Sequence, residues 1–391
     1  MTREEDASKN FFRRALPRLT ADLVLLFSFL FVSLRVVYDY RIGGDPWKQA
    51  DWLINNAAGL IRRGPFGSAI LSFSDLIGQN PLLVVSVLQI SLLAALFLFF
   101  RMLLGHIRSP EVSVLLAVSS AIFTVFWVAD PQGAVRKELI VFLGLTLYAV
   151  GALRTNWTLL WLGAAFFCIS TLAHEAMVLF APTFLAIAFF SGLQHKSAAQ
   201  TVFSLATIFC FSIFALVFAF RHPGVEDTAQ ICAALTARGI DEYICVGAIK
   251  WMGFDSAHGF EQVISLLNRR SLAGFLLVYA AALAPFAYLV WLSERRISNG
   301  VVLLLLALPF LPLYIVAVDW GRWISFHVFS VTVVLICAIC RNRLELQKPL
   351  KGYHVFGLVT LAVLISPGHT IGVVWGGALR QMIQVFWTLS S

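Results

Sequence analysis

The sequence predicts an all-α polytopic membrane protein. Hydrophobic residues make up 59% of the 391 positions and charged residues only 13%. The mean hydropathy of +0.84 lies outside the range of soluble domains. Apolar runs recur at about 17 to 22 residues, the length that spans a bilayer as helix. They are continuous rather than alternating, which excludes a transmembrane β-barrel.

These runs place helices near 21–38, 81–100, 112–128, 138–153, 157–173, 176–190, 201–220, 272–292, 301–318, 324–340 and 354–371. The segment 373–389 is either a further span or an interfacial helix, so the count is about 11–12 spans. The first run, Asp22 to Val37, follows "KNFFRRALPR" and precedes no A-x-A-like cleavage site. It is long for a signal peptide and reads as a permanent helix. The run from Trp157 to Phe190 would be about 50 Å long as one straight helix, against a hydrocarbon core of about 30 Å. It must fold back, and its polar break is His174-Glu175. No internal repeat or low-complexity linker divides the chain, so residues 1–391 are expected to form one membrane domain.

The charges orient it. Arg3, Lys9, Arg13, Arg14 and Arg18 hold the N-terminus in the cytoplasm by the positive-inside rule. Alternation then puts Arg101, Arg108, Arg154, Lys196, Arg295, Arg296, Arg341, Arg343, Lys348 and Lys351 inside as well. The net charge of +8 is thus a topology signal, and no aromatic-plus-basic motif points to nucleic acid. Two long segments, about 39–80 and 221–271, are expected on the extracytoplasmic side. So are the short loops "ADPQGAVRKE", "LAHEA" and "VDWGRWISFH". Nearly every candidate reactive group falls on that outer side.

Four polar constellations result. His174-Glu175 is either the polar tip of a hairpin or part of a site. "HEAMV" lacks the second His of H-E-x-x-H, so a zinc-protease site is excluded. Arg136 and Lys137, with Glu138, mark a helix entry; basic residues are disfavoured in short outer loops, which points to an anionic ligand such as a diphosphate. Asp319, Arg322 and His327 lie between two apolar spans. Asp319 and Arg322 have the i,i+3 spacing of an ion pair. Trp320 and Trp323 suit an interfacial belt or a sugar platform. In the first outer segment Asp45 follows Gly43-Gly44, "DWLINNAAGLI" has an amphipathic look, and Arg62-Arg63 precede Gly64-Pro65. That segment reads as a lipid-headgroup clamp or as an interfacial helix with basic anchors.

Among the cysteines, Cys168 and Cys210 read as packing residues, as do Cys337 and Cys340 at i,i+3 within a span. Cys232 and Cys245 share the second long segment, where an oxidising compartment permits a disulfide. Spacing alone leaves their geometry open.

"VRKELIVFLGLTLYAVG" followed by "FCISTLAHEAMVLFAPTFLAI" resembles the EpsG-like and Wzy-type polysaccharide polymerases, which carry an Arg near a helix start and a His before a later span. Arg136 and His174 match that pattern. "YRIGGDPWKQADW" resembles the family's early Arg-x-x-Gly-x-Asp segment at Arg41, Gly44 and Asp45, and "DWGRW" its late Asp-and-Arg loop at Asp319 and Arg322. Two departures are Glu175, where the family has a small residue, and "RRGPFG". The resemblance implies transfer of a polyprenyl-diphosphate-linked glycan to a second lipid-linked unit at the outer face of the bacterial cytoplasmic membrane, for exopolysaccharide, capsule or O-antigen. Under it, Arg136 and Arg322 bind diphosphate with Lys137 in support and Arg41 on the substrate. Glu175, Asp45 or Asp319 is the base, and His174 orients it. Trp320 and Trp323 carry sugar. Neither metal nor cofactor is required. The partners are the lipid-linked sugar donor and acceptor, membrane lipids and other polysaccharide-assembly proteins. Three alternatives remain: a GT-C type transferase using a lipid-monophosphate sugar with the first-segment Asp as base, a lipid-linked glycan transporter, and a non-catalytic assembly subunit.

Overall fold

A computed structural model of the chain describes residues 3–119, 124–195 and 197–390. It is helical almost throughout. The helices are α1 (Arg3–Arg41), α2 (Gly64–Ile77), α3 (Pro81–Leu104), α4 (Pro110–Ser119), α5 (Glu138–Arg154), α6 (Trp157–Ala173), α7 (Ala181–Phe190), α8 (Ala198–Arg221), α9 (Ala229–Thr236), α10 (Ser256–Leu266), α11 (Arg269–Leu292), α12 (Arg296–Leu305), α13 (Leu313–Val316), α14 (Trp320–Cys340), α15 (Gly352–Leu364) and α16 (Gly377–Ser390). Among the described residues, six stretches are long and apolar enough to cross a membrane: Leu16–Arg41, Pro81–Leu104, Ala198–Arg221, Arg269–Leu292, Arg296–Val316 and Trp320–Cys340. Pro110–Ser119, Trp157–Ala173, Glu175–Phe190 and Gly352–Leu364 are shorter apolar helices.

Two helices form the centre. α14 is 89% buried over its most apolar window, against 22% for α8 at the periphery, and every residue of α5 except Arg154 is buried. α5 and α14 pack on each other and share α7 as a neighbour. Phe142 of α5 meets Phe326 and Phe329 of α14 at ring distances of 6.0 and 4.3 Å. α6 approaches α5 closely because both carry glycine at the crossing. A Cβ on Gly163 would sit 2.6 Å from the Tyr148 amide nitrogen, as expected where small residues let helix backbones touch.

Several sequence expectations are corrected in detail. The 157–190 run does break at His174, but it resumes as a 3₁₀ helix, Glu175–Phe180, before α7, whose first turn carries Pro182. Proline is preorganised for that position. The expected helix 301–318 is divided into α12, a 3₁₀ turn and α13, because Pro309 and Pro312 remove amide donors and clash with the preceding turn. The expected 354–371 helix stops at Leu364. Ser366-Pro367-Gly368 cannot continue it, and β1 (Ile365–Pro367) instead pairs antiparallel with β2 (Val373–Trp375). That hairpin consumes the start of the expected 373–389 segment. Of the expected helix 112–128, residues 120–123 lie outside the described residues, as does Lys196; 124–128 form a π-helix. The two long segments are structured. "DWLINNAAGLI" holds only a 3₁₀ turn, Asp51–Leu53, and the amphipathic helix lies further on, in α2.

Candidate functional site

The N-terminal ends of α5 and α14 meet, and the meeting is ionic. Arg322 donates from Nε to Glu138 Oε1 at 3.1 Å and from Nη2 to Oε2 at 3.0 Å. Its Nη1 bonds Asp319, the i,i+3 partner. Arg136 extends the chain, with Nη1 3.7 Å from Asp319 Oδ2. A planar guanidinium matches a carboxylate through two parallel bonds, so one arginine joins two helix starts.

The residue before Arg136 is strained. Val135 has φ 51°, a left-handed conformation that a β-branched side chain rarely adopts. Its carbonyl accepts from Trp52 Nε1 at 3.0 Å and from Gln89 Nε2 at 2.8 Å. These two buried donors fix the peptide whose next two side chains are Arg136 and Lys137. Such strain persists only where the surroundings over-determine it.

On the other side, Arg63 grips Glu175 bidentately, Nε to Oε2 at 2.7 Å and Nη2 to Oε1 at 2.6 Å. Arg62 Nη1 lies 3.5 Å from the same carboxylate. Arg63 also sits at positive φ, 65°, immediately before α2. His174 caps the 3₁₀ turn: its Nδ1 accepts the Ala176 amide at 3.2 Å. An Nδ1 that accepts leaves the ring proton on Nε2, so the imidazole is neutral and can donate from Nε2.

Burial pushes the His174 imidazole down, and the Arg63 charge pushes it further, to about 3. Burial would raise the Glu175 carboxyl, but the Arg63 charge and hydrogen bonds, with Arg62 in support, outweigh it and hold the group well below its ordinary value. Lys137 is fully buried, with Nζ 3.8 Å from Asp51 Oδ1. Burial lowers its ammonium to about 8, the Asp51 charge opposing. Burial would likewise raise Asp319, but Arg322 and Arg136 pull it below its usual range.

Most of these groups face one cavity of ≈ 370 Å³. Asp51, Arg62, Arg63, Arg136, His174, Glu175, Asp255, Asp319 and Arg322 line it, with Trp47, Trp251, Phe254 and Trp323 as its aromatic wall. The Trp47 and Trp251 ring centres are 6.0 Å apart. The Arg136 guanidinium lies 5.8 Å over Trp47, and that of Arg322 5.2 Å over Trp323. The second long segment closes over this wall. Ala248 donates its amide to Pro46 O at 2.8 Å, and a Cys232–Cys245 disulfide staples the segment. Arg136 Nε, Arg62 Nε and Lys137 Nζ are buried with no hydrogen-bond partner among the described residues. Two orphaned guanidinium donors on one cavity, with the Lys137 ammonium behind it, suit an oxyanion.

Comparison of the chain with family models, curated proteins and solved structures gave no match.

Of the expected site residues, Arg136, His174, Glu175, Asp319, Arg322 and Trp323 line the cavity; Lys137 lies behind it, against Asp51. Three others do not reach it. Asp45 Oδ1 accepts the Trp47 and Lys48 amides at 2.9 and 2.8 Å and so caps its own turn. Arg41 ends α1 as an exposed side chain. Trp320 is buried between Phe275 and Tyr314, with Nε1 on Tyr314 O at 3.0 Å. Sequence reasoning did not pair Glu175 with Arg63 or Arg322 with Glu138, and it missed Asp51, Trp47 and Trp251. The paired basic residues before Gly64 were the one available signal.

Proposed function

We propose that the chain is a membrane glycosyltransferase that extends polyprenyl-diphosphate-linked glycans at the outer face of a bacterial cytoplasmic membrane. The observation that carries the reading is the convergence of Arg136, Arg322, Glu175 and Asp319 on one aromatic-walled cavity at the ends of apolar helices. Departure of a lipid diphosphate develops negative charge, which preorganised guanidinium groups stabilise. Arg136 is the better ligand of the two arginines, because Arg322 is already held bidentately by Glu138 and Arg136 keeps an unused donor.

In this scheme the acceptor hydroxyl attacks the anomeric carbon of the donor. The C–O bond to the diphosphate breaks with its electron pair on the leaving oxygen, and the hydroxyl proton passes to a carboxylate. Asp319 takes that proton. Its side chain is 22% exposed, and Arg322 and Arg136 both contact its Oδ2, so Oδ1 is the oxygen left to face the acceptor. Glu175 stays clamped by Arg63 and serves as a fixed charge. His174, neutral with its proton on Nε2, donates to a sugar or phosphate oxygen. Trp47, Trp251 and Trp323 offer apolar faces for sugar rings. The diphosphate scheme is favoured over a transferase using Asp45 as base, because Asp45 is engaged in capping and lies outside the cavity.

Arg136→Ala, expressed in a strain dependent on this chain, tests the proposal. Glycan extension should fail at unchanged protein level. Normal extension by well-expressed Arg136→Ala would remove that residue from the mechanism.

A further inference from the structure

The far end of α5 carries a second built feature. Arg154, in the last turn of α5, shares a hollow with Asp22 of α1 and with Arg101 in the last turn of α3. This polar hollow of ≈ 360 Å³ is lined by Arg18, Asp22, Arg101, His106, Ser113 and Arg154. Arg101 is held by Asp22, Nε to Oδ1 at 2.7 Å and Nη2 to Oδ2 at 3.0 Å. Arg154 is oriented differently. His106 Nδ1 bonds the Met102 carbonyl at 2.8 Å and must donate to it, so Nε2 is the acceptor of the Arg154 Nε–H at 3.4 Å. A neutral imidazole positions Arg154 without neutralising it. Among the described residues, neither Arg154 nor Arg18 has a carboxylate within ion-pair distance. Among the described residues the hollow therefore holds three guanidinium groups against one carboxylate.

An apolar groove of ≈ 330 Å³ begins at the same Asp22 and Arg101. It continues between α1 and α3 over Leu25, Leu26, Phe29, Ala94, Phe97 and Leu98. The Phe29 and Phe97 rings are 5.9 Å apart, while Leu26 and Leu98 are half-exposed at its mouth. From Asp22 to Phe29 the groove runs about 10 Å along α1, toward the middle of the candidate span Leu16–Arg41. A cationic hollow that opens directly into an apolar groove on a membrane helix is complementary to one kind of molecule.

We propose that this end of the bundle binds an anionic phospholipid, with its phosphate between Arg101 and Arg154 and one acyl chain in the groove of α1 and α3. A basic pocket between membrane helices is the expected headgroup receptor. The groove supplies what a free phosphate does not need. The site is independent of the catalytic proposal, since it shares no residue with the cavity.

The test uses the full chain, purified in mild detergent. Native mass spectrometry compares retention of phosphatidylglycerol with phosphatidylcholine of the same acyl chains. Wild type should retain the anionic lipid preferentially, and inorganic phosphate should not displace it. Arg154→Ala and Arg101→Ala should each weaken retention about fivefold. Leu98→Trp, which fills the groove and leaves every charge in place, should also expel the lipid. Arg295→Ala, a basic residue outside the hollow, should have no effect. Gel filtration and melting check that each variant is folded. Equal losses from Arg154→Ala and Arg295→Ala would reduce the feature to a diffuse basic surface and overturn the proposal. So would displacement by phosphate, or full retention by folded Leu98→Trp.

Discussion

Removing Arg63 should damage this protein more than removing the arginine beside it. Arg63 gives Glu175 two short charge-assisted bonds, whereas Arg62 offers one contact at 3.5 Å. Both partners of the main pair are about four-fifths buried, at 21% and 20% side-chain exposure. Breaking a buried pair from one side leaves an uncompensated charge and costs about 3–5 kcal/mol. Some solvent reaches this pair, which lowers the cost below that of a fully dry one. Alanine keeps its Cβ at the positive φ of position 63, so the substitution returns no backbone strain. The expected loss for Arg63→Ala is therefore about 2–4 kcal/mol, against about 1 kcal/mol or less for Arg62→Ala. The assay is a double-mutant cycle of Arg63→Ala with Glu175→Ala, read from denaturation midpoints in detergent. A coupling of about 2 kcal/mol is expected. If Arg63→Ala costs no more than Arg62→Ala, or the two substitutions are additive, the clamp does not organise Glu175 and the assignment of that carboxylate as a fixed charge is wrong.

Two further predictions concern strain and protons. Gln89→Ala removes one of the two donors that hold the Val135 carbonyl, leaving the strained peptide to relax. It should lower the proposed transfer activity by misplacing Arg136, and Val135→Gly should restore thermal stability in that background without restoring activity. Wild-type melting temperature should rise from about pH 3 to 6.5, because His174 is neutral when folded and the unfolded chain binds the extra proton in that window. Glu175 adds to the acid loss with the same sign: its folded value is depressed, so its stabilisation is present above 4.5 and lost as pH falls. His174→Gln should flatten the upper part of that rise. Lys137 predicts a second rise, from about 8 to 10.5, since its folded value is lowered and the unfolded chain again holds more protons. Lys137→Gln should abolish this second rise and leave the first.

The helical membrane class was legible from composition and run length, and the break at His174 from the length of its apolar run. Arg136, His174, Glu175, Asp319 and Arg322 stood out because ionisable groups at the ends of apolar helices are conspicuous. What remained hidden depended on tertiary pairing. Nothing local distinguishes Glu138 from an ordinary helix-entry acid until Arg322 is beside it. Asp45 looked reactive after two glycines, yet the same flexibility lets it cap its own turn. The aromatic wall joins Trp47 to Trp251 across two long segments, and no periodicity reports a contact of that range. Helix ends near Pro309, Pro312 and Pro367 were misjudged because hydropathy outweighed proline in the reading of those runs.

The most direct test of glycan transfer in the cavity uses purified protein in proteoliposomes with a labelled polyprenyl-diphosphate-linked glycan. Wild type should give longer lipid-linked chains together with released polyprenyl diphosphate. Folded Arg136→Ala and Asp319→Asn should each give neither product. Movement of the intact donor across the bilayer without new glycosidic bonds, or undiminished extension by both variants, would contradict glycan transfer in the cavity.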